Sequence, residues 1–317
     1  MERRALVIFS GALGDLICLG PAIRALGRRD PAAALELMTR AELARFAVSR
    51  MGIARGHSID RRELSHLFVD GGGVRSTDGW AGGDGRLAQG GYAAARKFFG
   101  AFAHIYSFFS TDNSAFRHAL EAVAGGAVDF YQFRPPGGGH AAQCYLRAIG
   151  ERMTEPLESA IELLPEDLTA AARVLATAGL GENAFVLILP GSGSAGKNWP
   201  AENFVALVRK LEMPALVILG PAEAALEPWF AAHGLATLSG LELGVVAALA
   251  RSARVVAAND SGVAHLAAAA GARVVALFGP TDPARWRPLG KVEVIRHQPL
   301  QYLPVDTVAA ALIRLTA

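Results

Sequence analysis

The sequence predicts an α/β protein made of two doubly wound domains. Three observations carry this. The chain has 317 residues, about two domains at roughly 100–200 residues each. Its second half alternates short aliphatic runs with helical stretches, the pattern of βαβ units around a parallel sheet. Its first half opens in the same way, with an apolar run, a glycine-containing turn and a helix.

Composition agrees with two packed cores. Residues of the set AVILMFWYC make up 52% and charged residues 19%, which excludes a disordered chain. The net charge of +2 is too weak for a nucleic-acid footprint, so no nucleic-acid partner is expected. Cys18 and Cys144 are the only cysteines; they form neither a disulfide framework nor a cysteine zinc site and fit a reducing cytoplasm. Stretches free of charge reach 14 residues, as at 98–111, short of the roughly 18 that span a bilayer. Asp15 and the lack of a small-x-small cleavage pattern argue against a signal peptide, and the first apolar run is read as a strand.

In the first half, strands are predicted at Ala5–Phe9, Leu35–Met38, His66–Asp70 and His104–Phe109, with a helix from about Asp15 through Leu26 that Pro21 should kink. Nine glycines between Gly71 and Gly91 predict a mobile loop rather than a helix or central strand. Pro135 through Gly139 interrupt the chain before a helical stretch at His140–Gly150, and the domain junction is expected between Met153 and Pro165. In the second half, strands are expected at Phe185–Leu189, Ala215–Leu219, Arg254–Ala258, Arg273–Phe278 and Val292–Ile295. They lack polar alternation and should be buried on both faces. Helices cover Pro200–Leu211, Ala222–His233, Leu243–Arg251 and Gly262–Ala270, and a last helical stretch, Val305–Leu315, has no strand after it. The expected organisation is therefore a Rossmann-like domain at 1–160, a second at 161–300, and a tail at 301–317 that folds back on the first.

Ligands of such sheets bind beyond the carboxyl ends of the strands, where helix N-termini point amide groups at them. Four loops fall there: Ser10–Asp15, Pro190–Trp199, Asn259–His265 and Gly279–Asp282. The run from Pro190 to Lys197 has the small residues that let backbone amides approach phosphate oxygens, and Lys197 adds a point charge. It nearly matches the P-loop pattern, so a nucleoside triphosphatase is a rival reading. Against it, Asn198 stands where a magnesium-binding Ser or Thr belongs, and Pro200 starts a helix only after Lys197. Asp260 and Ser261 open a small-residue helix and read equally well as caps or as an anion site, with His265 four residues further on. Gly11 and Gly14 do not complete a dinucleotide fingerprint, and Asp15 on its own reads as a cap.

Together these segments resemble glycosyltransferase family 9, the ADP-heptose:lipopolysaccharide heptosyltransferases and their relatives. Three stretches carry the resemblance: Gly11 to Leu16 with Pro21 to Leu26; Pro190 to Ser192 with Lys197 to Phe204; and Asn259 to Gly262 with His265 to Ala268, running on into Phe278 to Pro283. The resemblance implies a GT-B architecture, two Rossmann-like domains facing a cleft, with the acceptor on the first, the donor on the second and a last helix crossing back to the first. It implies an inverting transfer from a nucleotide-diphosphate sugar, in which Asp15 matches the base and Gly14 stands beside it. The donor would be held by Ser192, Ser194, Lys197, Asp260, Ser261, Gly262, His265 and Thr281, with Glu223 nearest to the carboxylate that meets the nucleoside. An anionic acceptor would meet Arg61 and Arg62.

No Asp-x-Asp pair occurs, so metal-independent turnover with no cofactor is expected. The expected partners are ADP-heptose and a glycolipid acceptor of lipopolysaccharide type, with the chain in the cytoplasm and in peripheral contact with the inner membrane. The alternative is a catalytically silent nucleotide-sugar-binding protein.

Overall fold

The computed structural model describes residues 3–68, 85–152 and 157–316. The chain divides into two compact units. The first comprises Met1–Gly11, Ala22–Gly137 and Cys144–Arg152, and the second Ala12–Pro21, Gly138–Gln143 and Met153–Ala317. Each is built on one parallel sheet, the GT-B-like pair of Rossmann-like domains expected from the sequence.

The first unit carries β1 (Arg3–Ile8), the part of α1 (Leu13–Arg29) from Ala22 on, β2 (Ala33–Thr39), α2 (Ala41–Ala47), β3 (Arg55–Ser58), α3 (Arg62–Ser65), α4 (Gly85–Phe99), β4 (His104–Ser107), α5 (Ser114–Val123), β5 (Ala127–Phe130) and most of α6 (Ala141–Ala148). Its strand order is β3-β2-β1-β4-β5, with the sequence direction reversing between β1 and β4. Leu6, Ile8 and Ile105 on the strands pack against Phe99, Phe102, Phe116 and Leu120. Inside this core lies one carboxylate, Glu36, held bidentately by Arg4 at 2.7 and 2.9 Å and bonded to His57 Nε2 at 2.5 Å. Burial alone would raise its pKa, but hydrogen bonds from His57 and Arg4 hold it down to about 2.

The second unit carries α7 (Pro165–Thr177), β6 (Val186–Leu189), α8 (Ala201–Leu211), β7 (Ala215–Leu219), α9 (Glu227–Ala232), β8 (Ala236–Ser239), α10 (Leu243–Ser252), β9 (Val255–Asn259), α11 (Gly262–Ala269), β10 (Val274–Phe278), α12 (Pro283–Trp286), β11 (Val292–Arg296) and α13 (Val305–Thr316). Its six strands run β11-β10-β9-β6-β7-β8, and the order reverses between β6 and β9. Every residue of β6, β7, β9 and β10 is buried, as expected for aliphatic strands covered by helices on both faces.

Several sequence expectations are corrected. The strand at His66–Asp70 is not formed: residues 62–68 make helical turns that bury Leu64 and Leu67, three positions apart, while 69 and 70 lie outside the described residues. The third strand is instead β3, whose short polar sequence Arg-Gly-His-Ser hid it; it pairs with β2 on one side and forms the sheet edge. The loop expected over Gly71–Gly91 lies outside the described residues up to 84, but from Gly85 onward the chain is helix α4. Burial of Ala95 and Phe99 overrides the low helical preference of its glycines, and Gly91 passes so close to the His66 ring that a Cβ there would collide with it.

The helix of the first motif starts at Leu13 and continues through Pro21. The stretch Ala222–His233 is broken into a 3-10 turn and α9, which starts at Glu227 with Pro228 in its first turn, a residue with no N–H to continue the earlier turn. The two units divide between Arg152 and Met153, at the near edge of the expected junction, and two short segments of the first half, 12–21 and 138–143, fall with the second unit. The tail that was expected to cross back to the first domain belongs to the second: Val308, Ala309, Ala311 and Leu312 of α13 are part of the core that contains β6, β9 and β10. The apolar stripe of α13 fits that sheet face, and Trp199 Nε1 ties its approach by donating to Leu303 O at 3.0 Å.

Leu312 is fully buried and its neighbour Ile313 is 60% exposed. Leu312→Ala is expected to lower unfolding stability by about 2–5 kcal/mol, and Ile313→Ala to stay within roughly 0.5 kcal/mol. Urea denaturation of both variants checks this, and equal effects would contradict the packing of α13.

Candidate active site

The reversal of strand order between β6 and β9 leaves a crevice at their carboxyl ends, and both loops that leave it are fixed by one side chain. Asn259, the last residue of β9, is fully buried. Its Oδ1 accepts from Trp199 N at 3.1 Å and its Nδ2 donates to Pro190 O at 2.6 Å, so it clamps both ends of the 190–199 loop. Sequence reasoning placed Asn259 in a loop but not among the site residues. The signal was a lone amide closing the apolar run Val255–Ala258, where a buried polar group must find partners.

Within that loop Ser192 is buried, and its Oγ donates to Ser194 O at 2.7 Å, making a tight turn. A 3-10 turn, Ala195–Lys197, precedes α8, so Lys197 stands before the helix as expected. Its Nζ lies 2.8 Å from Asp260 Oδ2. The ammonium is thus held over the start of α11 by a carboxylate that is only 7% exposed. Glu223 packs its carboxylate against Gly191, on the β7 side of the same loop. Thr281, half-buried, sits in the turn after β10, ahead of Asp282, which caps α12 through Ala284 N.

α11 begins in extended backbone at Ser261, whose Oγ accepts from Ala264 N at 3.3 Å. Ser261 therefore caps the helix, and the first N–H groups of α11 carry the partial positive charge of a helix N-terminus. The first turn of α1 lies against it. A Cβ at Gly262 would come within 3.0 Å of Leu13 Cβ, and one at Gly14 within 3.3 Å of His265 Cδ2. Two glycines are needed because two helix starts touch here.

Asp15, 6% exposed, accepts from Ala12 N at 3.3 Å, the third-residue half of a capping box. It stands near His265 and Cys18, whose Sγ is 3.7 Å from His265 Nδ1. Burial, reinforced by the charge of Asp15, pushes the Cys18 thiol well above its usual range, so it is no nucleophile at neutral pH. Burial pushes His265 down to about 4, outweighing the favourable charges of Asp260 and Asp15, so the ring is neutral. Among the described residues no group of three or more His, Cys, Asp or Glu is arranged as metal ligands.

The sequence profile of glycosyltransferase family 9 (heptosyltransferase) matches residues 133–305, more than half of the chain. The chain belongs to glycosyltransferase family 9. It is a glycosyltransferase of the heptosyltransferase-like group. No curated protein sequence matches it, but its fold is shared by solved structures. A family 9 glycosyltransferase from Veillonella parvula superposes with a TM-score of 0.77 at 18% identity, over 99% of this chain and 97% of that one. The Escherichia coli ADP-heptose lps heptosyltransferase II gives 0.72 at 18%, over 99% and 98%. The E. coli heptosyltransferase WaaC with ADP gives 0.69 at 16%, over 98% and 99%.

Of the residues singled out in the sequence of this family 9 enzyme, the structure brings Gly14, Asp15, Ser192, Ser194, Lys197, Glu223, Asp260, Ser261, Gly262 and His265 into the second unit, around the β6 and β9 loops. Arg61 and Arg62 belong to the first unit. The Arg61 guanidinium is bonded to Glu63 at 2.8 Å and to His57 Nδ1 at 3.1 Å and lies 4.0 Å from the centre of the Phe98 ring, while Arg62 is exposed.

Asn259→Ala is expected to destabilise the protein by roughly 1–3 kcal/mol for each main-chain group it leaves unpaired, measured by chemical denaturation. His265 takes up its proton at about 4 in the folded state against about 6.5 unfolded, so its contribution is full above pH 6.5 and is lost as pH falls toward 4. At pH 5 the loss should be on the order of 2 kcal/mol relative to pH 7.5, and His265→Gln should remove that part of the pH dependence. Glu36 does not obscure the comparison, because its depressed pKa acts only below its ordinary value of 4.5.

Proposed function

We propose that this enzyme moves a heptose, with inversion, from ADP-heptose to a glycolipid acceptor of lipopolysaccharide type, without a metal ion. One observation carries the reading: a fixed ammonium and a helix N-terminus share one site with a single buried carboxylate at the start of α1. The names of two structural relatives, an ADP-heptose lps heptosyltransferase II and a heptosyltransferase with ADP, support the choice of donor.

In this reading the acceptor hydroxyl attacks the anomeric carbon as the bond from that carbon to the diphosphate breaks on the opposite face. Asp15, as carboxylate, takes the hydroxyl proton. The charge released onto the leaving diphosphate is met by Lys197, by the first N–H groups of α11 and by the backbone of the 192–197 turn, in the role a bound metal plays elsewhere. In the structure Lys197 is neutralised by Asp260, and arriving phosphate would share or take over that ammonium. His265, neutral and bonded to α1 through Cys18, keeps the start of α1 against α11. Glu223 would meet the nucleoside hydroxyls, and Thr281 the sugar-phosphate end. Arg62, exposed, and Arg61, once freed from Glu63, would meet an anionic acceptor. Action at the cytoplasmic face of the inner membrane fits such an acceptor; among the described residues no helix is long and apolar enough to cross a membrane.

Asp15→Asn separates transferase from silent binder. The expected result is a fall in kcat of about 10²–10⁴ with ADP affinity unchanged, read by product formation from ADP-heptose and by calorimetry. Undiminished kcat would overturn the role of Asp15, and the absence of any transfer by the wild-type protein would favour the binder.

A further inference from the structure

A second cavity, of about 520 Å³, opens in the second unit away from the site just described, a volume in the usual range for small-molecule sites. Its wall includes Ala268, Ala269 and Gly271, at the end of α11 opposite Ser261. α11 has eight residues and is therefore about 12 Å long, which separates this cavity from the donor loops.

The lining combines an apolar floor, Leu157, Ala160 and Leu289, with two exposed cations. Arg287 and Lys291 both line it, and neither has an ion-pair partner among the described residues. Ser159 also lines it; this residue is 6% exposed, and its Oγ is buried with no hydrogen-bond partner among the described residues. A buried hydroxyl left unpaired costs roughly 1–3 kcal/mol, so a native structure that keeps one beside a cavity has a use for it.

His140 is already committed and does not compete: its Nε2 donates to Arg287 O at 2.7 Å and its Nδ1 accepts from Ala142 N at 3.2 Å. That bond anchors the Arg287 backbone and leaves its guanidinium as the variable part. The carbonyls at the end of α11 are likewise filled, Ala268 O by Gly271 N and Ala269 O by Ile161 N. The donors left over are thus a guanidinium, an ammonium and a hydroxyl, against one carboxylate, Glu158.

We propose that this cavity is a second binding site of the enzyme, for a small organic anion, a phosphate or carboxylate carried on an apolar or weakly polar body. Arg287 and Lys291 take the anionic head, the Ser159 hydroxyl turns out of its buried position to donate to it, and the body lies on Leu157, Ala160 and Leu289. The assignment stands independently of which sugar the donor site uses.

Phenyl phosphate serves as the probe, with thermal stabilisation of the full chain as readout. Wild-type protein should be stabilised saturably, and a saturable stabilisation should persist in Lys197→Ala, in which phosphate binding at the donor loop is weakened and in which the further variants are made. Lys291→Glu should abolish it, and Ser159→Val should weaken it about tenfold, one hydrogen bond to an anion. Inorganic phosphate should bind more weakly than phenyl phosphate, because it leaves the floor uncovered. No stabilisation of the wild-type protein, its loss in Lys197→Ala, or an undiminished response in both Lys291→Glu and Ser159→Val would overturn the proposal.

Discussion

The site depends on one buried amide. Asn259 ends the central strand β9 and uses both ends of its side chain on the backbone of the neighbouring loop, one on Trp199 N and one on Pro190 O. Without that clamp the 190–199 loop would lose both bonds that tie its ends to β9, and Lys197 would rest on its pairing with Asp260. With it, the ammonium is fixed over the start of α11 and paired to Asp260. The parallel sheet supplies the place, because the reversal between β6 and β9 forces their loops apart; the amide supplies the geometry.

Electrostatics and packing meet at the second constraint, the contact of two helix starts at Gly14 and Gly262. Two positive helix ends are brought together, and the buried groups around them are arranged accordingly. Asp15 and Asp260 offset the charge, and His265 stays neutral because burial opposes a further cation. Asp15 caps α1 by accepting from Ala12 N, and that bond fixes the carboxylate in the orientation used by the role proposed for it. The cap is the part of this residue that the sequence alone could read, and the proposed role leaves that bond in place.

How far the sequence disclosed the molecule follows burial. The strands at 186–189, 215–219, 255–259 and 274–278 were legible because an aliphatic run buried on both faces has few other fates; the strand at 292–296 was also found, but it is a half-buried edge strand and not buried on both faces as expected. β3, β5 and β8 were missed because each has four residues and sits at or near an edge, where polar side chains are tolerated. The strand read at His66–Asp70 failed because Leu64 and Leu67 are spaced for a helical turn, a period too short to stand out locally. At Gly85–Gly91 composition argued for a loop and packing of α4 overruled it. The tail at Val305–Leu315 was read as a helix correctly and given the wrong neighbour, since an apolar stripe tells that a face is covered but not by what. Within the site, glycines and charges at loop positions were visible; Asn259, Cys18 and the Lys197–Asp260 pair were not, because each depends on a contact across dozens of residues.

The most direct test is a crystal structure of the protein soaked with ADP. The account predicts the diphosphate at hydrogen-bond distance from Lys197 Nζ and the first N–H groups of α11, with the 190–199 loop still clamped by Asn259. Phosphates lying away from residues 192–197 and 261–265 would contradict it.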